Sequence, residues 1–211
     1  CKKKMQIIWV RYFANIKDGD GLTRDATWNL FAANFGQSKV YKIDRNAVVN
    51  TYVSNQPGSA GMVFDDQGIL FLANYNSAQI VRIDPNGNVL NVFASGVANP
   101  ISLDFNSQGI LYTNNNYNNA LTSINQNGVK NVLHTSSFNN SSLTIDDNDN
   151  IYVSDYNSGV IKKIDAQSQS ESTFTNLPIV TGGVGFIIYS QGYFFASAIR
   201  DNVIYMIDEN G

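Results

Sequence analysis

At 211 residues with 43% hydrophobic side chains, the chain can bury a core, and no apolar run approaches the roughly 18 residues of a membrane-crossing helix. A formal charge of -3 with only 15% charged residues excludes a basic footprint for nucleic acid. One cysteine excludes an internal disulfide framework and any zinc-type cysteine spacing, while 29 asparagines give the polar surface an amide character suited to turns and neutral polar ligands.

In chain order, Cys1 comes first, followed by Lys2-Lys3-Lys4. That opening resembles the mature end of a bacterial lipoprotein, whose thiol carries the lipid. The alternative is an arbitrary chain boundary. With the amide-rich surface it points to an extracytoplasmic or cell-surface location.

Ile8 to Phe13 reads as a strand, and one sentence is then written five times. Trp28 to Asp44 reads WNLFAANFGQSKVYKID, Gly68 to Asp84 GILFLANYNSAQIVRID and Gly109 to Asn125 GILYTNNNYNNALTSIN. Asp149 to Asp165 reads DNIYVSDYNSGVIKKID and Gly192 to Asp208 GYFFASAIRDNVIYMID. The closing residues Asp44, Asp84, Asn125, Asp165 and Asp208 lie 40, 41, 40 and 43 apart. Short strands repeating at that period signal a propeller or an array.

Each copy divides into four strand-sized pieces. In the second, Gly61 to Phe64 is a first strand, Ile69 to Ala73 a second, Gln79 to Ile83 a third and Val89 to Ala94 a fourth. Asp84-Pro85-Asn86-Gly87 between the last two suits a type I turn whose final residue needs positive φ, which glycine supplies without steric cost. Second strands such as Ile69-Leu70-Phe71-Leu72 are apolar on successive residues, the mark of burial on both faces. First strands begin small, at Gly21, Gly61, Ser102, Ser142 and Gly185, as crowding at an axis requires.

The expected fold is therefore all-β, with residues 1–211 forming a single five-bladed propeller of four-stranded antiparallel blades. The C-terminus stops where a fourth strand is due, and Ile8 to Phe13 aligns 40 residues before Val48 to Val53. Met5 to Phe13 is expected to complete the fifth blade, which would leave no unpaired edge. The rival is a fragment of a six- or seven-bladed ring.

The pattern aspartate–x–x–Gly–apolar–aromatic–apolar–x–Asn/Asp, an amide-rich loop, then Ile–x–x–Ile–Asp resembles NHL repeats and the related streptogramin-lyase-like propellers. It stands as Asp65 to Asn74 in the second copy and as Asp146 to Asp155 in the fourth. The resemblance covers the chain from Met5 onward. It implies the propeller fold, and it leaves activity open, because this frame hosts binding scaffolds, lyases and lactonases.

The lyases it resembles are expected to use a histidine base with a divalent metal at the central face. The single histidine, His134, falls on an outer fourth strand, so no catalytic residue is assigned. Related lactonases hold calcium near the starts of the first strands. The matching positions are Asp20, Ala60, Ile101, Ser141 and Val184, with one charged residue among them, so neither metal nor cofactor is expected. Asp65, Asp66, Asp146, Asp147 and Asp149 read as turn caps.

The loop between second and third strands is the stronger candidate. It carries Asn34-Phe35, Asn74-Tyr75, Asn116-Tyr117, Asp155-Tyr156 and, breaking the pattern, Arg200. Amides donate and accept hydrogen bonds and aromatic faces cover apolar surface, so a ring of such loops suits a sugar or peptide. The competing reading is loop capping and packing between blades. The sequence reading is a non-catalytic recognition scaffold for a protein or glycan partner. Its alternatives are a metal-assisted lyase or lactonase using the central channel, and a structural assembly protein.

Overall fold

The computed structural model describes residues 14, 16, 19–115, 117–135, 139–198 and 200–211. Among these residues, nineteen strands make five antiparallel sheets. The first holds β1 (Gly19–Arg24), β2 (Leu30–Asn34), β3 (Lys39–Ile43) and β4 (Val49–Val53). The second holds β5 (Ser59–Phe64), β6 (Leu70–Asn74), β7 (Gln79–Ile83) and β8 (Val89–Ser95). β9 (Pro100–Phe105), β10 (Leu111–Asn115), β11 (Ala120–Ile124) and β12 (Lys130–Thr135) form the third. β13 (Asn140–Ile145), β14 (Ile151–Asp155), β15 (Val160–Ile164) and β16 (Glu171–Asn176) form the fourth, and β17 (Val184–Ser190), β18 (Tyr193–Ala198) and β19 (Val203–Asp208) the fifth.

Each sheet is a meander in chain order, and the first strands β1, β5, β9, β13 and β17 pack side by side in sequence. This is a five-bladed β-propeller. The fourth strand expected of the fifth blade, Met5 to Phe13, and the lipid site expected at Cys1 lie outside the described residues. No helix among the described residues is long and apolar enough to cross a membrane.

The blades stack through one aromatic side chain on each of three second strands. Phe31 meets Tyr52 of its own fourth strand at 4.8 Å and Phe64 of the next blade at 4.9 Å. Phe71 does the same with Phe93 and Phe105, and Tyr152 with Phe174 and Phe194. The edge-to-face geometry of the first two sets directs ring hydrogens at π-faces, worth about 0.5–1.5 kcal/mol per pair beyond area burial.

At the axis, Gly21 and Gly61 let backbones touch: a Cβ on Gly61 would lie 2.3 Å from the carbonyl oxygen of Ile101. Farther round, serines replace contact with hydrogen bonds. Ser102 Oγ donates to the Leu143 carbonyl at 3.1 Å, and Ser142 Oγ accepts from the Ile187 amide at 3.3 Å.

The Asp–x–x–Gly turns form as their chemistry requires. Asp84 Oδ1 accepts the amides of Asn86 and Asn88, and Gly87 takes φ +87°. Asp65 and Asp146 cap their turns the same way. Asp149 instead accepts from the amide and hydroxyl of Ser107 across the blade interface, and Asp147 accepts from the Tyr189 hydroxyl.

Candidate functional site

In every blade the first and second strands lose register near the same end. The first strand carries one extra residue there, within Asp20-Gly21, within Ala60-Gly61, and at Ile101, Ser141 and Gly185. A bulge leaves a residue out of the ladder and re-aims its side chain. Repeated around the axis, it turns Asp20, Ala60, Ile101, Ser141 and Gly185 into one cavity of about 520 Å³. The fifth position differs from the sequence expectation: Val184 stays in the ladder, fully buried, and Gly185 is the residue at the mouth.

Phe35, Tyr75, Tyr156 and Asn139 complete the lining. Phe35 and Tyr75 follow equivalent second-strand ends in adjacent blades, and their rings meet edge-on at 5.5 Å. Tyr156 occupies the same loop position in the fourth blade and is half-exposed. Three of the predicted loop aromatics thus come together at the axis.

The other loop residues are placed differently. In the third blade β10 ends at Asn115, so Asn115 matches Asn74 and the expected pairing is offset by one residue. Asn116 lies outside the described residues, and Tyr117 stands 81% exposed, away from the cavity lining. Asn34 is buried and its Oδ1 accepts the Gln37 amide. Asn74 is buried and donates to Gln56 Oε1 at 2.9 Å. Asp155 takes the Asn157 amide and the Ser158 hydroxyl, which closes its own loop. Arg200 is exposed at φ +72°, outside the mouth lining, while the adjacent Asp201 pins the amides of Val180 and Thr181.

Among the described residues, Asp20 is the only carboxylate of the mouth lining. Water reaches it, yet the surrounding strands replace much of the bulk solvent, and this desolvation holds its pKa above the ordinary 3.8. Ser141 is committed elsewhere: its hydroxyl donates to the Val184 carbonyl and lies 2.9 Å from Ser154 Oγ. His134 sits on β12, paired with Leu121 in the outermost strand of its blade. Asp104 is a partly buried acid that the sequence reading did not single out; a charged residue inside a first strand was the available signal.

The divalent metal implied by the lyase and lactonase resemblance does not fit this donor set. A hard cation takes six to eight oxygens, several of them from carboxylates, whereas among the described residues the mouth offers one carboxylate, the Asn139 amide and an engaged serine. Among the described residues no three His, Cys, Asp or Glu side chains converge. A larger cavity of about 730 Å³ opens on the opposite face around the first-strand turns. Of its five acids, Asp65, Asp146, Asp147 and Asp149 are occupied by the hydrogen bonds given above, and Asp66 is exposed.

No protein-family model matches the chain, and no curated protein matches it in sequence. Solved structures do. Virginiamycin B lyase from Staphylococcus aureus superposes with a TM-score of 0.70 at 12% identity, over 90% of this chain and 70% of that one. A gluconolactonase from Xanthomonas campestris gives 0.77 at 14% identity, over 92% of this chain and 73% of that one. A chain of the nidogen/laminin complex gives 0.79 at 13% identity, over 90% and 75%. At these identities the likeness establishes the propeller. The expectation of a non-catalytic scaffold, with no enzymatic activity, is corrected by these neighbours: a lyase and a gluconolactonase share the ring, which favours the enzyme alternative.

Proposed function

We propose that the protein is a small-molecule enzyme of the lyase or lactone-opening class, working at the axial mouth with Asp20 as its proton acceptor. The observation that carries the reading is the placement of Asp20. A bulge aims one desolvated carboxylate into a cavity that draws on all five blades. Desolvation strengthens a carboxylate as a base, because the protonated form is favoured relative to water.

In the hydrolytic form, a water beside Asp20 attacks the carbonyl carbon of an ester or lactone. The carboxylate takes the water's proton, the carbon–oxygen bond to the leaving alkoxide breaks, and Asp20 returns the proton to that oxygen. One water is consumed, and one acid and one alcohol group form. In the eliminative form the same carboxylate removes a proton from the carbon next to a carbonyl, the C–H electron pair forms a carbon–carbon double bond to the neighbouring carbon, and the ester oxygen on that neighbouring carbon leaves as a carboxylate, which opens the ring. Phe35, Tyr75 and Tyr156 supply apolar walls that hold the ring of the substrate.

The test is proton release from a panel of lactones and cyclic esters, with Asp20→Asn as control. General-base removal lowers kcat/KM by roughly 10²- to 10⁴-fold. Turnover should rise as pH climbs through the raised pKa of Asp20, because only the ionised carboxylate accepts a proton. An Asp20→Asn protein that melts normally and keeps full turnover would overturn the assignment.

A further inference from the structure

The fourth blade brings two hydrogen-bond donors to the mouth. Tyr156 and Asn139 both line the cavity, and the Tyr156 amide donates to the Asn139 carbonyl at 2.8 Å. β13 packs between β9 and β17, so the pair lies across the mouth from Asp20 of β1. Their main chain is held firmly. A Cβ on Gly183 would lie 2.3 Å from the Tyr156 carbonyl oxygen, so the two backbones are in direct contact. After Asn139, buried Asn140 donates its Nδ2 to the Asn119 carbonyl at 2.9 Å, and Ser141 donates to the Val184 carbonyl. The side chains on this frame are uncommitted. Among the described residues neither the Tyr156 hydroxyl nor the Asn139 carboxamide has a hydrogen-bond partner, and both residues reach solvent. The fold requires neither group. In the second blade the same main-chain bond runs from the Tyr75 amide to the carbonyl of Gly58, which has no side chain. In the third blade the matching Asn99 spends its Nδ2 on the Tyr75 carbonyl at 3.2 Å, and in the first the matching aromatic is Phe35, which has no hydroxyl.

We infer that the Tyr156 hydroxyl and the Asn139 carboxamide hold the carbonyl oxygen of the substrate, as the electrophilic wall opposite Asp20. This rests on the catalytic reading of the same cavity. A phenol and a carboxamide both donate hydrogen bonds while uncharged at neutral pH, which suits a neutral ester or lactone carbonyl. When water adds to the carbonyl carbon, the π pair of the C=O bond moves onto oxygen, and the two donors stabilise that charge. When the bond to the leaving alkoxide breaks, the pair returns and the carbonyl re-forms. The proton that moves is the one Asp20 carries, so neither donor gives up its own. In the eliminative form the same donors meet the charge that builds on the carbonyl oxygen as the neighbouring C–H bond breaks. Donors fixed before the reaction cost no reorganisation during it, and the contacts of Asn140, Ser141 and Gly183 supply that fixing.

The test is calorimetric titration with N-methylvalerolactam, a ring whose carbonyl resists hydrolysis, and with tetrahydropyran, a ring of the same size without a carbonyl. The lactam should bind saturably and more tightly than tetrahydropyran. Tyr156→Phe and Asn139→Ala should each weaken the lactam by about 2- to 12-fold, as loss of one hydrogen bond does, and leave tetrahydropyran within about twofold. Both variants should melt within about 2 °C of the parent, because neither group has a partner in the fold. In turnover of δ-valerolactone, each should lower kcat/KM by roughly 10²- to 10³-fold, mostly in kcat. The titration decides the inference, and turnover with Asp20→Asn decides the catalytic reading. Lactam affinity equal in parent and variants, or no saturable lactam binding at all, would overturn the inference even where Asp20-dependent turnover stands. Lactam binding that both variants weaken, without turnover by the parent, would remove the catalytic reading and keep the carbonyl site.

Discussion

Asp104 offers a quantitative test of how the blades are joined. It lies on β9, and its Oδ2 accepts the Thr144 hydroxyl at 3.1 Å and the Ile145 amide at 2.9 Å, both from β13 of the next blade. Desolvation between the blades outweighs those hydrogen bonds and raises the carboxyl from 3.8 to about 6. A carboxylate with a raised folded pKa binds its proton more readily in the native than in the unfolded chain. Its contribution to stability is therefore greatest below the unfolded value near 4 and is lost as pH rises through about 6. A shift of some two pH units corresponds to about 3 kcal/mol between those limits.

Asp104→Asn keeps an acceptor oxygen for Thr144 and Ile145 and removes the ionisation. Relative to the parent, the variant should gain about 3 kcal/mol between pH 4 and pH 7.5, or roughly 6–12 °C in Tm for a chain of this size. The loss of the Oδ1 acceptor from the Phe105 amide adds an offset that does not vary with pH. Melting curves of both proteins across that range measure the difference. A difference in Tm that stays constant with pH would refute the argument.

Other outcomes follow from the packing. Phe31→Ala removes the ring between Tyr52 and Phe64 and should cost about 3–5 kcal/mol in urea denaturation. Gly61→Ala places a methyl 2.3 Å from the Ile101 carbonyl oxygen and should cost about 1–3 kcal/mol or more. Gly68→Ala meets nothing closer than 3.9 Å and bears the strain of φ +78° alone, so it should cost less, about 1 kcal/mol. Tyr117→Ala, at a side chain 81% exposed, should change stability by no more than about 0.5 kcal/mol and leave turnover unchanged.

Much of the architecture is legible in the chain because its causes are local. An aspartate that caps the amides two and four residues on, as Asp84 does, needs only its own turn. The continuous apolar run of β6 reports burial on both faces wherever its neighbours come from. The period near 40 residues repeats these signals until five blades can be counted. Boundaries shifted slightly: β6 runs Leu70–Asn74, taking into the ladder an asparagine that the sequence reading placed in the loop.

The site was legible only in pieces. Phe35, Tyr75 and Tyr156 follow from matching loops, yet a one-residue offset separates Tyr117 from them, because β10 extends to Asn115 before its loop begins. Asp20 was visible as the one charged residue at a repeated position, but nothing near it in sequence says that it is aimed at the axis. That depends on the bulge in each first strand, where one strand outruns its partner by a residue. The sequence by itself determined the repeat, the strand order and the turns, whose energies are settled within a few residues. Only the tertiary structure decided that Asp20 and its counterparts, some 40 residues apart, surround one cavity, and that Asp104 is partly desolvated between two blades. Those outcomes require the sheets to be stacked around a common axis.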